Sequence, residues 1–190
     1  MKNKAIFLDR DGVLIKEVGY LSDLAKVSFY NGNIEALKIF KKAKFKIIVI
    51  SNQSGVARGY FTEEFVKKTH KFIQEKLKKF NLKIDAFYYC PHHTKDVKIK
   101  KYFKDCNCRK PKPGMVKKAE KRFNIDLKNS WVIGDKLTDI ELGKNLKMKT
   151  ILLLTGFGKE QRELMDDKTK PDFICKNLYS AAKIIERSLK

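Results

Sequence analysis

Two aspartates, Asp9 and Asp11, stand two residues apart where the apolar run "KAIFLD" breaks into Arg10-Asp11-Gly12. Alternate side chains of an extended segment point to the same side, so both carboxylates can face one site. Adjacent carboxylates repel each other, and one pKa rises unless a cation lies between them. Hard oxygen ligands of this kind suit Mg²⁺, which keeps several waters and works beside a substrate phosphate. Asp135, closing the run "SWVIGD", is the natural third carboxylate. With the ion held by Asp9, Asp11 and Asp135, Asp9 can act as nucleophile toward phosphorus. Asp11 can then serve as general acid on the leaving oxygen and as general base for water. Ser51, Asn52 and Lys110 would hold the equatorial oxygens of the transferring group, and Gly12 permits close backbone approach.

A second constellation lies in "CPHHTKDVKIKKYFKDCNCRKPKPG", residues 90 to 114, which holds three of the four cysteines and two of the three histidines. Cys90, His92, Cys106 and Cys108 make a C-x-H…C-x-C set, suited to a closed, structural tetrahedral zinc site. His93 is an alternative to His92, and reduced, unligated thiols are the alternative to a metal. Closing the loop over about residues 90–110 offsets entropy of ordering it and delivers Arg109 and Lys110 directly after the last ligand. Cys175 stands alone and reads as ordinary core.

Residues this far apart need a scaffold that gathers strand ends. Apolar runs of strand length, 4–9, 45–51, 84–90, 130–135 and 149–154, alternate with helical periods, the pattern of an α/β parallel sheet with helices on both faces. Thr62-Glu63-Glu64 opens a helix whose stripe Phe65, Val66, Thr69, Phe72, Ile73, Leu77 and Phe80 is expected in the core. Pro113 opens another, with Val116, Ala119 and Phe123 inward, and Asp126 marks the following turn. Ala181, Ile184 and Ile185 belong to a closing helix, in a tail from about 157 that otherwise says little. Such sheets bind ligands beyond the carboxyl ends of their strands, which is where the polar residues fall.

At 190 residues and 43% hydrophobic content the chain is expected to form one domain over 1–190. No apolar run approaches a membrane span and the start lacks a secretory segment, so a cytoplasmic, monomeric protein without a membrane partner is expected. The net charge of +21 comes from lysines spread along the whole chain, without a basic arm or basic-aromatic repeat. That favours a small phosphorylated ligand over nucleic acid, with a zinc-stapled nucleic-acid-binding module as the distant alternative. Lys136 is read as pairing with carboxylates, and Asp139 as orienting that region unless it is an exposed cap.

"FLDRDGVLI", "VISNQSG", "RKPKPGM" and "VIGDKLTDI" follow in order on the strand ends. Together they resemble the four motifs of the haloacid dehalogenase (HAD) superfamily of phosphatases. The resemblance implies a Rossmann-like HAD fold, here with no separate cap domain, and a Mg²⁺-dependent phosphatase working through an aspartyl-phosphate. The zinc loop leading into "CNCRKPKPGM" resembles one branch, the D-glycero-D-manno-heptose 1,7-bisphosphate 7-phosphatases; their relatives, the histidinol-phosphate phosphatases, are the alternative. "EVGYLSD" is similar to the substrate loop of the heptose enzymes, although Asn31-Gly32 replaces their usual Pro-Gly. The resemblance implies release of the 7-phosphate of a heptose bisphosphate, for lipopolysaccharide core or surface polysaccharide. It implies substrate contacts by Asp9, Arg10, Asp11, Glu17, Val18, Gly19, Tyr20, Ser51, Asn52, Gln53, Ser54, Arg109, Lys110 and Lys136.

Overall fold

The computed structural model describes residues 2–189, so Met1 and Lys190 of the expected 1–190 span lie outside the described residues. Six parallel strands form one sheet: β1 (Ala5–Leu8), β2 (Lys46–Asn52), β3 (Ala86–Cys90), β4 (Trp131–Gly134), β5 (Lys149–Leu153) and β6 (Phe173–Cys175), in the order β3-β2-β1-β4-β5-β6. Helices α1 (Asn33–Lys42), α2 (Glu63–Lys78), α3 (Gly114–Phe123), α4 (Leu137–Asn145), α5 (Gly158–Glu163) and α6 (Leu178–Arg187) connect them.

The strands read as near-continuous apolar runs because both faces are covered. Ile6 and Leu8 of β1 pack toward Phe40 of α1, Ile73 and Leu77 of α2, and Ala181 and Ile185 of α6. Ala5 and Phe7, on alternate positions, pack on the other face with Val116 and Ala119 of α3 and Leu142 of α4. α2 starts where Thr62 accepts a hydrogen bond from the Phe65 amide, 3.2 Å, with Glu63 and Glu64 in the first turn complementing the dipole.

Each of the five expected strands is present with its ends within two residues of the expected positions. The sixth, β6, is only three residues long and leaves Phe173 and Ile174 exposed, so it carries no apolar run that sequence periodicity can register. Phe80 departs from expectation: α2 stops at Lys78 and Phe80 is 46% exposed. Asn81 takes a positive φ of 55°, turning the chain so that Leu82 and Ile84 enter the core instead. No helix among the described residues is long and apolar enough to cross a membrane.

The sheet reverses direction of travel between β1 and β4, which are neighbours in space although β2 and β3 intervene in sequence. A crevice opens at the carboxyl ends of strands at such a switch point. Asp9 and Asp135 lie there. Gly134 makes the crevice narrow, because a Cβ on it would fall 2.2 Å from the Cβ of Asp139. Gly134→Ala is therefore expected to lower stability by about 1–3 kcal/mol through overpacking, read from urea unfolding. It should also reduce turnover, because Asp139 has no free direction in which to yield.

Candidate active site

Asp9 follows β1, Asp135 follows β4, and Asp139 sits in the first turn of α4. All three are buried, and one oxygen from each lies within 4.8 Å of the others. Asp11 does not bring its carboxylate into this trio. It accepts from Arg10 Nε at 3.1 Å, pairs with Arg10 Nη2 at 2.9 Å, and accepts from Gln53 Nε2 at 2.8 Å. β1 ends at Leu8, so the chain is turning rather than extended between Asp9 and Asp11, and the same-side rule for alternate residues no longer applies.

Lys110 is drawn into the trio although only 3% exposed. Its Nζ lies 3.0 Å from Asp9 Oδ1 and 2.7 Å from Asp139 Oδ1, and donates a hydrogen bond to the Ile50 carbonyl at 2.9 Å. Burial works against its charge, but Asp139 and Asp9 overcome that and hold its pKa above the ordinary lysine value. Asp139 is thus neither exposed nor a cap: burial pushes its pKa up and Lys110 pulls it back. Asn52 grips the Lys110 backbone from both sides, accepting from its N–H at 3.0 Å and donating to its C=O at 3.1 Å.

Asp135 is the group with the least satisfied charge. Its Oδ2 accepts from the Phe157 amide at 2.9 Å, while Oδ1 is buried with no hydrogen-bond partner. Burial and then the nearby Asp9 raise its pKa to about 8. A carboxylate so placed, two others beside it, and an orphaned oxygen fit a divalent cation by the chemistry of the donor set. The segment "TGFG" (155–158) closes this side: Thr155 Oγ1 donates to the Gly12 carbonyl at 2.6 Å, and a Cβ on Gly156 would meet Asp135 Oδ2 at 2.2 Å.

A cavity of about 230 Å³ opens above these groups, lined by Asp9, Arg10, Asp11, Glu17, Gly19, Tyr20, Ser51 to Ser54, Lys110 and Lys136 among others. Val18 and Arg109 are not among its lining residues: Val18 is 43% exposed, and Arg109 lies behind the rim, donating to the His92 carbonyl at 3.4 Å. Ser51 Oγ accepts from Gln53 Nε2 at 2.7 Å, which leaves its own hydrogen to donate. Burial and then the Asp11 charge raise the pKa of Glu17, whose Oε1 accepts from the Gly19 amide at 2.7 Å. Lys136 stands over the Phe157 ring, 4.4 Å from its centroid, rather than in an ion pair.

Cys90, His92, Cys106 and Cys108 cluster at one end of β3, and all cysteines are free thiols. Contacts of 3.1 to 3.8 Å among the three Sγ atoms and His92 Nδ1 are far beyond a disulfide bond of about 2.05 Å. They approach the edge of about 3.8 Å that a tetrahedron with metal–sulfur bonds of about 2.3 Å requires. His92 is the histidine in the cluster; His93 Nδ1 instead accepts from the Lys95 amide at 2.9 Å. Glu63 braces this loop, accepting from Tyr89 at 2.6 Å and Tyr102 at 2.8 Å.

Residues 107–181 match the HAD-hydrolase-like family model. Over 184 residues the chain is 40% identical to the D-glycero-beta-D-manno-heptose-1,7-bisphosphate 7-phosphatase of Pasteurella multocida, covering 96% of this chain and 97% of that one. The chain belongs to the heptose-1,7-bisphosphate 7-phosphatase family. A Photorhabdus laumondii relative named for the alpha anomer is 35% identical across 97% of this chain and 98% of its own. The solved structure of D,D-heptose 1,7-bisphosphate phosphatase from B. bronchiseptica, complexed with magnesium and phosphate, superposes with a TM-score of 0.84 at 26% identity, covering 97% and 99% of the two chains.

For this member of the heptose-bisphosphatase family, sequence reasoning missed Thr138 and Phe157 in the pocket and understated Asp139. The glycine pair of "TGFG" after an apolar run was the available signal for a tight turn against the site. An acid whose folded-state pKa lies above its unfolded value keeps a proton that the unfolded chain has lost, so stability falls as pH rises through that window. For Asp135 the window runs from 3.8 to about 8. The gain in melting temperature on adding Mg²⁺ to chelator-treated protein should accordingly be larger at pH 8 than at pH 5; an equal gain at both would contradict the placement. Cys108→Ser is expected to abolish stoichiometric zinc and cost about 2 kcal/mol or more, lowering the melting temperature by roughly 4–8 °C in a chain this size.

Proposed function

We infer that the protein removes the 7-phosphate from D-glycero-D-manno-heptose 1,7-bisphosphate, leaving heptose 1-phosphate for nucleotide-heptose and surface polysaccharide synthesis. The observation that carries this reading is the buried Asp9–Lys110–Asp139 arrangement on the floor of the pocket, with Asp135 beside it. Near-full-length identity to the heptose enzymes supplies the substrate class.

Asp9 and Asp135 are the residues that would hold Mg²⁺, and Cys90, His92, Cys106 and Cys108 those that would hold a structural Zn²⁺. Magnesium bound there would supply positive charge to offset that of the carboxylates and of the phosphoryl group. The Asp9 carboxylate attacks phosphorus while the bond from phosphorus to the sugar oxygen breaks, giving an aspartyl-phosphate. Asp11 delivers a proton to the departing sugar oxygen, then takes one from the water that attacks the same phosphorus and frees Asp9 and phosphate. Arg10 and Gln53 fix the orientation of Asp11 for both steps. Lys110 and the Ser51 hydroxyl face the equatorial oxygens, where transition-state charge is spread. Glu17, Gly19 and Tyr20 form the wall against the sugar. The proposal includes a monomer in the cytoplasm, where thiolates stay reduced and available to metal.

Asp9→Asn should abolish phosphate release by at least about a thousandfold while leaving the far-ultraviolet circular dichroism spectrum of the folded protein in place. In parallel assays the heptose bisphosphate should be preferred over histidinol phosphate in kcat/KM. Equal or reversed preference removes the heptose assignment.

A further inference from the structure

Tyr30 stands behind the pocket wall. It is not among the residues lining the catalytic cavity and instead lines a separate outer hollow with Lys16 and Lys176. Its hydroxyl nevertheless reaches two segments that shape the cavity. The oxygen accepts from the Gly156 amide at 3.2 Å and from the Glu17 amide at 3.4 Å. Each segment carries a part of the site. Gly156, at a positive φ of 54°, precedes Phe157, whose amide donates to Asp135 Oδ2 at 2.9 Å. Glu17 opens the stretch that gives Glu17, Gly19, Tyr20 and Leu21 to the cavity lining.

That stretch has little else to hold its backbone. Among the described residues, the Glu17–Tyr30 bond is the one hydrogen bond that joins the backbone of residues 17–22 to another segment; the Gly19 amide turns back on Glu17 Oε1 at 2.7 Å. Side chains secure the far end, where Leu21 is buried and Tyr20 packs on Tyr60 with ring centroids 4.3 Å apart. Tyr30, by contrast, is firmly based. Its carbonyl accepts from the Asn33 amide at 3.2 Å across a turn in which Gly32 takes a φ of 84°. The fully buried Asn33 side chain in turn donates to the carbonyls of Val13 and Leu14, at 2.8 and 2.9 Å. A rigid element thus offers one acceptor to two loops. Bonds of 3.2 and 3.4 Å are at the weak end for amide donors, so the tether sets where the loop rests without immobilising it.

We propose that the Tyr30 hydroxyl is a positioning group for substrate selection, holding the sugar-facing loop at 17–20 against the segment that covers Asp135 so that the wall stands before the sugar arrives. The identity of the sugar rests on the bisphosphatase reading. Ordering the wall in advance removes an entropy cost that binding would otherwise carry. The gain falls on the sugar, because the phosphoryl-binding groups Ser51 and Lys110 belong to other segments.

Tyr30→Phe removes the hydroxyl and keeps the ring. Its KM for heptose 1,7-bisphosphate should rise about threefold to tenfold, with kcat changed by less than about twofold. The inhibition constant of inorganic phosphate, which needs no sugar wall, should stay where it is. Hydrogen exchange read by NMR should be faster in the variant at the Glu17 and Gly156 amides. An unmoved KM overturns the proposal even where exchange accelerates. A parallel rise in the phosphate inhibition constant overturns it too, since the variant would then have disturbed the cavity floor. Unaltered exchange at both amides removes the tether itself. Wild-type protein that fails to hydrolyse the bisphosphate sinks the parent reading and the selection role with it, whereas wild-type turnover with an unmoved KM in the variant sinks this proposal alone.

Discussion

A single ammonium group, Nζ of Lys110, holds the catalytic floor together. It is buried where a lone charge would be costly, and it persists because Asp9 and Asp139 face it at 3.0 and 2.7 Å with the Ile50 carbonyl completing its shell. The dependence runs both ways. Without Lys110 the two aspartates would stand unpaired beside Asp135, three buried acids with nothing to balance them. With it, one of the three is balanced in place, and the remaining pair, Asp9 and Asp135, is a donor set that fits a divalent cation.

The position of Lys110 is in turn a loop problem, since it is not on a strand or helix. Three constraints fix it. Cys106 and Cys108 anchor the chain four and two residues upstream in the sulfur-rich cluster, Asn52 clasps the Lys110 peptide groups, and Glu63 ties Tyr89 and Tyr102 across the loop's base. The Cys/His cluster thereby becomes part of the catalytic architecture without touching the reaction. The same loop carries Asp96, which pairs with Arg58 at 3.4 Å, and Arg109, which donates to the His92 carbonyl at 3.4 Å.

Charge is arranged by depth. The cavity lining carries the acids Asp9, Asp11 and Glu17, and the surface is rich in lysine, giving +21 overall. An anionic sugar phosphate is attracted from a distance by the surface. The acids below repel phosphate unless a cation offsets them.

Much of this was legible in the residues alone. Alternation of strand-length runs with helical periods specified a parallel sheet, because only a sheet covered on both faces tolerates runs as apolar as "KIIVI". The order of polar strand ends pointed to the crevice, and C-x-H…C-x-C named its four cluster members because thiol and imidazole have few reasons to crowd otherwise. Tertiary structure alone decided three matters. Asp11 turned toward Arg10 and Gln53, because the strand had already ended. Asp139 became the partner of Lys110, because the glycine at 134 lets α4 press against β4. Phe80 stayed outside and β6 joined the edge, because helix termination and edge exposure follow from what packs nearby. Periodicity records which face of an element is apolar; it holds no information on where two distant charged side chains will meet.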